Sequence, residues 1–331
     1  MTEKTLHDGQ ARLIYGAPNI ESLRSLPAES VHCVVTSPPY WGLRDYGDPD
    51  QLGLEETPED FVLNMVAVFR QVHRVLHPSG TLWLNLGDSY ASSSKGSGSI
   101  PKSAKQRSNA GSIFKQVKTK HGLKPKDLVG IPWRVAFALQ AAGWYLRQDI
   151  IWHKPNPMPT SATDRCTTAH EYIFLLTKSA RYDFGQLLEP AVSGEKFHGA
   201  YNAPMPGGSM NQRNGRHAED NSTATRNKRS VWTIATQSYP GSHFAVFPEE
   251  LARLCIAAGC PEGGTVLDPF SGSGTTGKVA LQLGRRYVGL DVNEDYLDLA
   301  LRRVDHYQSD SPSESEKQGQ ASLFDGLDSN D

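Results

Sequence analysis

The chain is poor in cysteine. Cys33, Cys166, Cys255 and Cys260 are all it has in 331 residues, and no two form a C-x-x-C pair. That spacing offers neither a structural zinc site nor a disulfide framework, and it fits a reduced, cytoplasmic protein without a bound metal. Long apolar runs are missing too. No uncharged stretch approaches the ~18 residues of a membrane span, and MTEKTLHDGQ lacks the layout of a secretory signal. Net charge is nearly absent, at −2, but it is unevenly laid out. Residues 308–331 hold six acids and one lysine, whereas residues 91–126 carry nine Lys or Arg and no acid. Positive charge is therefore concentrated in one segment, and a mildly acidic whole does not exclude a polyanionic partner.

What is present reads as alternating strand and helix. ARLIYG and VHCVV are short strands, joined by a helix-like IESLRSLPAES. EDFVLNMVAVFRQVHRVL has apolar residues at helical spacing, HPSG should end it, and GTLWLNLGDSY is a buried strand. IPWRVAFALQAAGW predicts a helix, YLRQDIIWHK and EYIFLLTK strands, and FPEELARLCIAAGCPEGG a helix with Pro in its first turn. TVLDPFSGSGTTGKVALQLGRRYVGLDV is strand, turn, helix and strand, followed by the helix NEDYLDLALRRVDHYQ. This order predicts an α/β fold with a mostly parallel sheet.

The turn GSGTTGK (272–278) fits two patterns. Gly272, Gly274 and Gly277 follow a strand, open a helix and precede Asp291 by nineteen residues or fewer, which is the nucleotide-binding α/β layout. The same residues fit most of a P-loop, but Val279 stands where a magnesium-binding Ser or Thr is needed. Asp268, at the strand end, would repel a pyrophosphate on the helix N-terminus. It would suit a ligand with a cationic amino group and no phosphate, such as S-adenosylmethionine, with Asp291 accepting from the ribose hydroxyls.

VVTSPPYWG (34–42) leaves another strand through two prolines, which stiffen the chain and leave backbone carbonyls without ladder partners. Together, TSPPY and DPFSGSGTT resemble the catalytic and cofactor motifs of the DNA amino-methyltransferases. Their order, catalytic half first, resembles the beta class of that family. SHFAVFPEEL (242–251), GTLWLNLGDSY and GWYLRQDIIWHKPNPMPTS resemble further family segments, so the likeness covers most of residues 12–307. One departure is Gly16-Ala17, where many members have Gly-Asp.

The resemblance implies a Rossmann-like methyltransferase fold in permuted order. Residues 12–90 and 127–184 would form the catalytic half and 241–307 the half that binds S-adenosylmethionine. Between them would lie a basic loop (91–126) and a target-recognition region (185–240), with an acidic tail (308–331) at the end. The implied catalytic residues are Ser37, Pro38, Pro39 and Tyr40. Ser37 Oγ and the Pro38 carbonyl would accept the two hydrogens of a cytosine or adenine amine, and Tyr40 would stack on a flipped base. The implied cofactor residues are Asp268, Phe270, Gly272, Ser273, Gly274, Thr275, Thr276 and Asp291, with His243 and Phe247 from the preceding segment. Trp41 could line the base pocket or pack beneath the loop. Ser-Pro-Pro-Tyr resembles the N4-cytosine members, with N6-adenine as the alternative. C5-cytosine chemistry needs a reactive thiolate, and no cysteine sits in the Pro-Cys setting for it.

Double-stranded DNA is the expected partner. Lys102, Lys105, Arg107, Lys115, Lys118 and Lys120 suit sequence-independent phosphate contact. Arg213, Arg216, Arg226 and Arg229 suit base edges. Gln320, Leu323 and Phe324 in the tail resemble the short peptide that docks bacterial proteins on the replication sliding clamp, and a cognate restriction endonuclease is a further partner the family implies. Competing readings are a protein-glutamine methyltransferase, a dinucleotide oxidoreductase, and a non-catalytic DNA-binding protein that keeps the fold.

Overall fold

A computed structural model describes residues 1–43, 48, 50–91, 123–190, 225–237 and 247–307. Residues 1–185 and 230–331 form one compact unit and 186–229 a second. The first unit is built on a nine-stranded sheet. In chain order its strands are β1 (Thr2–Leu6), β2 (Ala11–Tyr15), β3 (Val31–Thr36), β4 (Leu76–Leu86), β5 (Tyr145–His153) and β6 (His170–Thr177). β9 (Val231–Thr233), β10 (Thr265–Asp268) and β11 (Arg286–Asp291) complete it. Spatially the order is β1-β2-β11-β10-β3-β4-β6-β5-β9. The run from β2 through β11, β10 and β3 to β4 is parallel, β6 is antiparallel to both its neighbours, and β1 adds an antiparallel edge. This is the mostly parallel Rossmann-like sheet expected, with β10 late in the chain yet central in the sheet.

Side chains alternate across the sheet, so consecutive residues of β3 and β4 serve different layers. Val34, Leu82 and Leu84 join one apolar cluster with α1 (Asn19–Arg24), α2 (Pro58–Val75) and α3 (Ile131–Ala141). Cys33, Thr81 and Trp83 face Gly259 at the end of α4 (Glu249–Gly259) instead. On that side α4 packs on α5 (Thr275–Gln282), which packs on α6 (Leu297–Asp305). α2 shows why these helices form. Thr57 Oγ1 accepts from Asp60 N–H at 2.8 Å, Pro58 sits at the first position, and Phe61, Met65, Val68, Phe69, Val72 and Val75 line one buried face. Such a cap contributes ~1 kcal/mol.

Three local expectations differ from the structure. The helix expected over residues 20–30 stops at Arg24, because Pro27 lacks the N–H a further turn requires. HPSG ends α2 but already belongs to β4, with a register shift opposite Val31 and Cys33. β1 was not expected from a polar TEKTL; it is an exposed edge strand held by its pairing with β2.

The second unit, in its described part, is an antiparallel pair of β7 (Leu188–Pro190) and β8 (Thr225–Asn227). Glu189 accepts from Arg226 Nε at 3.0 Å and from Arg229 Nε at 2.7 Å.

Candidate active site

β10 and β3 are parallel neighbours, with Leu267 opposite Val34, yet the chain runs on from them toward opposite edges of the sheet. Ligands of open α/β sheets bind in the crevice that such a reversal leaves at the strand carboxyl ends. Here the crevice is an open cavity of about 820 Å³ with its mouth included. Ser37 and Pro39 line it from the β3 side; Asp268, Phe270, Gly272 and Asp291 line it from the β10 and β11 side. Ser273, Thr275, Thr276 and Phe247 also reach it. Two sequence motifs some 230 residues apart thus meet in one cavity. Gly274 does not line the cavity but starts α5 at φ +80° with Ala300 close behind it, where a side chain would be both strained and crowded.

Asp268 is fully buried. Its Oδ1 accepts from Thr36 Oγ1 at 2.6 Å and from Phe270 N–H at 3.0 Å, and its Oδ2 accepts from Thr276 Oγ1 at 2.7 Å. A carboxylate has about four acceptor positions, so one is left on Oδ2. Asp291 Oδ2 accepts from Gly272 N–H at 2.7 Å and its Oδ1 from Asn293 N–H at 3.0 Å, leaving one position on each oxygen. Burial pushes both acids up, Asp268 to about 6 and Asp291 to about 7, with Asp268 and then Asp48 adding like-charge repulsion to Asp291. Among the described residues neither carboxylate has a cationic partner, and such a pair favours a ligand that brings a positive charge.

Residues the sequence did not single out brace this wall. Tyr15 donates to Ser271 Oγ at 2.8 Å, and the buried Tyr287 hydroxyl meets the same oxygen at 2.8 Å. Asn19 donates to the Pro269 carbonyl. Arg303, from α6, donates to Ser273 Oγ at 2.7 Å and Thr275 Oγ1 at 2.6 Å. Lys278, the residue a P-loop would aim at phosphates, is buried and donates to Glu249 at 3.1 Å. The Gly272 N–H that would hold a phosphate is engaged by Asp291. A pyrophosphate would therefore meet two acids and, among the described residues lining the cavity, no cation, which disfavours the P-loop and dinucleotide readings.

On the β3 side, Ser37 Oγ donates to Tyr40 Oη at 3.4 Å, and Tyr40 donates to Glu171 Oε2 at 2.7 Å. Asn85 Nδ2 donates to the same carboxylate oxygen at 3.1 Å, and Lys154 Nζ pairs with the other. The Tyr40 ring packs against Gly87, where an added Cβ would come within 2.6 Å of Cε2. Trp41 is buried and donates to the Glu55 carbonyl at 3.0 Å, so it packs beneath the loop. Asn85 left one trace in the sequence, a lone amide inside the apolar LWLNL. Lys154 and Arg303 left none.

The buried thiols are inert. Burial pushes Cys33 and Cys255 well up and Cys260 to about 12. Among the described residues no His, Cys, Asp and Glu cluster could hold a metal, and no helix is long and apolar enough to cross a membrane. His243, Lys102, Lys105, Arg107, Lys115, Lys118, Lys120, Arg213, Arg216, Gln320, Leu323 and Phe324 lie outside the described residues. Of the basic segment, Lys124 and Lys126 are described, paired with Asp127 at 3.5 Å and Asp164 at 2.6 Å.

Comparison with known proteins gives one consistent answer. The N6_N4_Mtase family model, described as DNA methylase, matches residues 31–302. Type II methyltransferase M.SmaI of Serratia marcescens is 48% identical over 286 residues, covering 86% of this chain and 87% of the relative. The solved structure of TTHA0409 from Thermus thermophilus, complexed with S-adenosyl-L-methionine, aligns with a TM-score of 0.54 and 25% identity over 89% of this chain and 93% of that one. PvuII DNA methyltransferase, described as cytosine-N4-specific, shares the fold at a TM-score of 0.59 and 18% identity, covering 93% of this chain and 90% of its own.

Proposed function

The chain belongs to the N6_N4_Mtase family of DNA methylases, and from that premise we propose that it methylates the exocyclic N4 amine of cytosine in duplex DNA. The base would be swung out of the helix to reach the site. The observation that carries this reading is the shared cavity of Ser37, Pro39, Asp268 and Gly272.

S-adenosylmethionine is the donor, supplying an electrophilic methyl on a sulfonium. The acids fit it: it has a cationic amino group for the remaining position on Asp268, two ribose hydroxyls for Asp291, and no phosphate. Phe270 and Phe247 offer apolar surface for an adenine, and Ser273, Thr275 and Thr276 close the wall beside it.

The chain's own residues must make a poor nucleophile attack. A cytosine amine delocalises its lone pair into the ring. Ser37 has one hydroxyl hydrogen, which is directed at Tyr40, so its lone pairs face outward as acceptors. With the Pro38 carbonyl as second acceptor, both amine hydrogens are held, the nitrogen becomes more tetrahedral, and positive charge growing on it is stabilised. Pro38 and Pro39 keep that pair rigid, which matters because an error of ~1 Å can cost ~100-fold in rate. Tyr40, fixed at its hydroxyl by Glu171, offers ring surface to an extruded base.

The choice of N4-cytosine over N6-adenine rests on Ser at the head of Ser-Pro-Pro-Tyr. The DNA would be held by the lysines and arginines of 91–126 and read by residues 185–240. The Type II designation of M.SmaI supports a place beside a restriction endonuclease. The test is to incubate the protein with methyl-labelled S-adenosylmethionine and mixed-sequence duplex DNA, then digest to nucleosides. Label in N4-methylcytosine is expected. Label in N6-methyladenine would correct the base, and none in DNA would overturn the function.

A further inference from the structure

Methyl transfer leaves one problem that the acceptors at Ser37 and Pro38 do not solve. When the C–S bond breaks and the C–N bond forms, the sulfur keeps the electron pair and the amine becomes cationic. It must then lose one N–H proton. Resting on the methyltransferase reading above, we infer that Glu171 is a positioning residue that orients Tyr40 and Ser37 and receives this proton through them.

The hydrogen bonds run in one direction. Ser37 Oγ donates to Tyr40 Oη at 3.4 Å, and Tyr40 donates to Glu171 Oε2 at 2.7 Å. In the relay the amine proton moves to Ser37 Oγ, the Ser37 proton to Tyr40 Oη, and the Tyr40 proton to Glu171. Both hydroxyls end neutral, one N–H bond has broken, and one carboxyl O–H bond has formed; release to solvent resets the chain. Nothing outside the protein and water is consumed.

Asn85 makes the loaded state self-consistent. Its Oδ1 lies 3.2 Å from Tyr40 Oη. A phenol has a single hydrogen, and with Glu171 ionised that hydrogen belongs to the 2.7 Å carboxylate contact. Once Glu171 carries the proton it donates back to Tyr40 Oη, and the Tyr40 hydrogen turns to Asn85 Oδ1. Each arrangement leaves these groups satisfied, which a network built only to fix a ring does not require. Glu171 is also held as an acceptor from a second side, by Asn85 Nδ2 at 3.1 Å and by Lys154 Nζ. Lys154 lies over the Trp152 ring at 4.3 Å, which fixes the ammonium beside the carboxylate. Among the described residues the ionisable groups bonded to Glu171 are Lys154 and Tyr40; His170 precedes it in the chain, and His153 stands opposite His170 on β5.

The test uses full-length Glu171→Gln, Tyr40→Phe, the double variant and Glu171→Asp. Single-turnover methyl transfer to duplex DNA is measured at saturating S-adenosylmethionine, beside cofactor affinity and thermal midpoint. Glu171→Gln and Tyr40→Phe should each slow transfer by about 100-fold, the lower end of what a lost proton acceptor costs. The double variant should be no slower than the worse single one, because the residues act in series. Glu171→Asp should recover part of the rate, cofactor affinity should stay at wild type throughout, and Glu171→Gln, which strips Lys154 of its counter-charge, should lower the midpoint while the protein stays folded at the assay temperature. Losses that multiply in the double variant would overturn the relay. So would a full-speed Glu171→Gln, or a loss of rate that tracks a loss of cofactor affinity or of folding. The wild-type nucleoside digest judges the function separately: N6-methyladenine with this variant pattern would correct the base and uphold the relay.

Discussion

Replacing Asp268 by Asn should make the protein more stable and a poorer binder of its cofactor. The ordinary carboxyl value of 3.8 is raised to about 6 by burial, and at about 1.4 kcal/mol per pH unit the ionised group costs the fold ~3 kcal/mol above pH 6. The sign follows from the rise: the cost is fully present above about 6 and shrinks as pH falls from there to 3.8. An amide removes the charge and keeps the acceptor for Thr36 and Phe270 N–H. It turns an NH₂ toward Thr276, whose hydroxyl has the Val35 carbonyl at 3.4 Å as a second acceptor. Allowing ~1 kcal/mol for that exchange leaves ~1–2 kcal/mol of net stabilisation, a rise in melting temperature of about 1–3 °C for a chain of this length. Loss of a charged contact to the amino group should weaken S-adenosylmethionine by about 10–100-fold. Thermal melts without cofactor at pH 8 and pH 5, beside calorimetric titration, test both halves. A variant that melts below wild type at pH 8, or that binds the cofactor normally, would refute the reasoning. So would a stability gap that does not close toward acid.

Other expectations follow from the same contacts. Cofactor affinity should decline below about pH 7 as Asp291 protonates, and more steeply below about 6 as Asp268 follows; titrations downward from about pH 7 check it. Gly87→Ala puts a methyl 2.6 Å from the Tyr40 ring, so turnover should drop by tenfold or more, on the scale of ~1 Å displacements, while cofactor affinity holds. Arg303→Met releases the hydroxyls of Ser273 and Thr275 and should weaken cofactor binding by roughly tenfold, the scale of one charged hydrogen bond, which equilibrium dialysis would detect.

Much of the fold was legible because its signals are local. The alternation of β-branched strands with helices of period 3.6, and the glycine turn between β10 and α5, announce themselves within about thirty residues. The strand–Pro-Pro exit and the acid at the end of β10 did so as well. What was illegible came from distant parts of the chain. Arg303 reaches Ser273 and Thr275 from α6, the helix after α5, and Lys154 meets Glu171 only because β5 and β6 pair antiparallel. Thr36 was visible as the residue before Ser37, but its bond to Asp268 depends on the adjacency of two strands 232 positions apart. β1 was missed for another reason: a polar edge strand carries no buried alternation to read.

In the proposed mechanism one cavity has two parts, a β10 wall that holds the donor and a β3 exit that presents the amine. Ser37→Ala measures that division most directly, with single-turnover transfer and cofactor affinity read on one preparation. The account predicts a rate lower by roughly 100-fold, as for other preorganised catalytic hydrogen bonds, with affinity at wild type. An unchanged rate, or an affinity that falls along with it, would contradict the account.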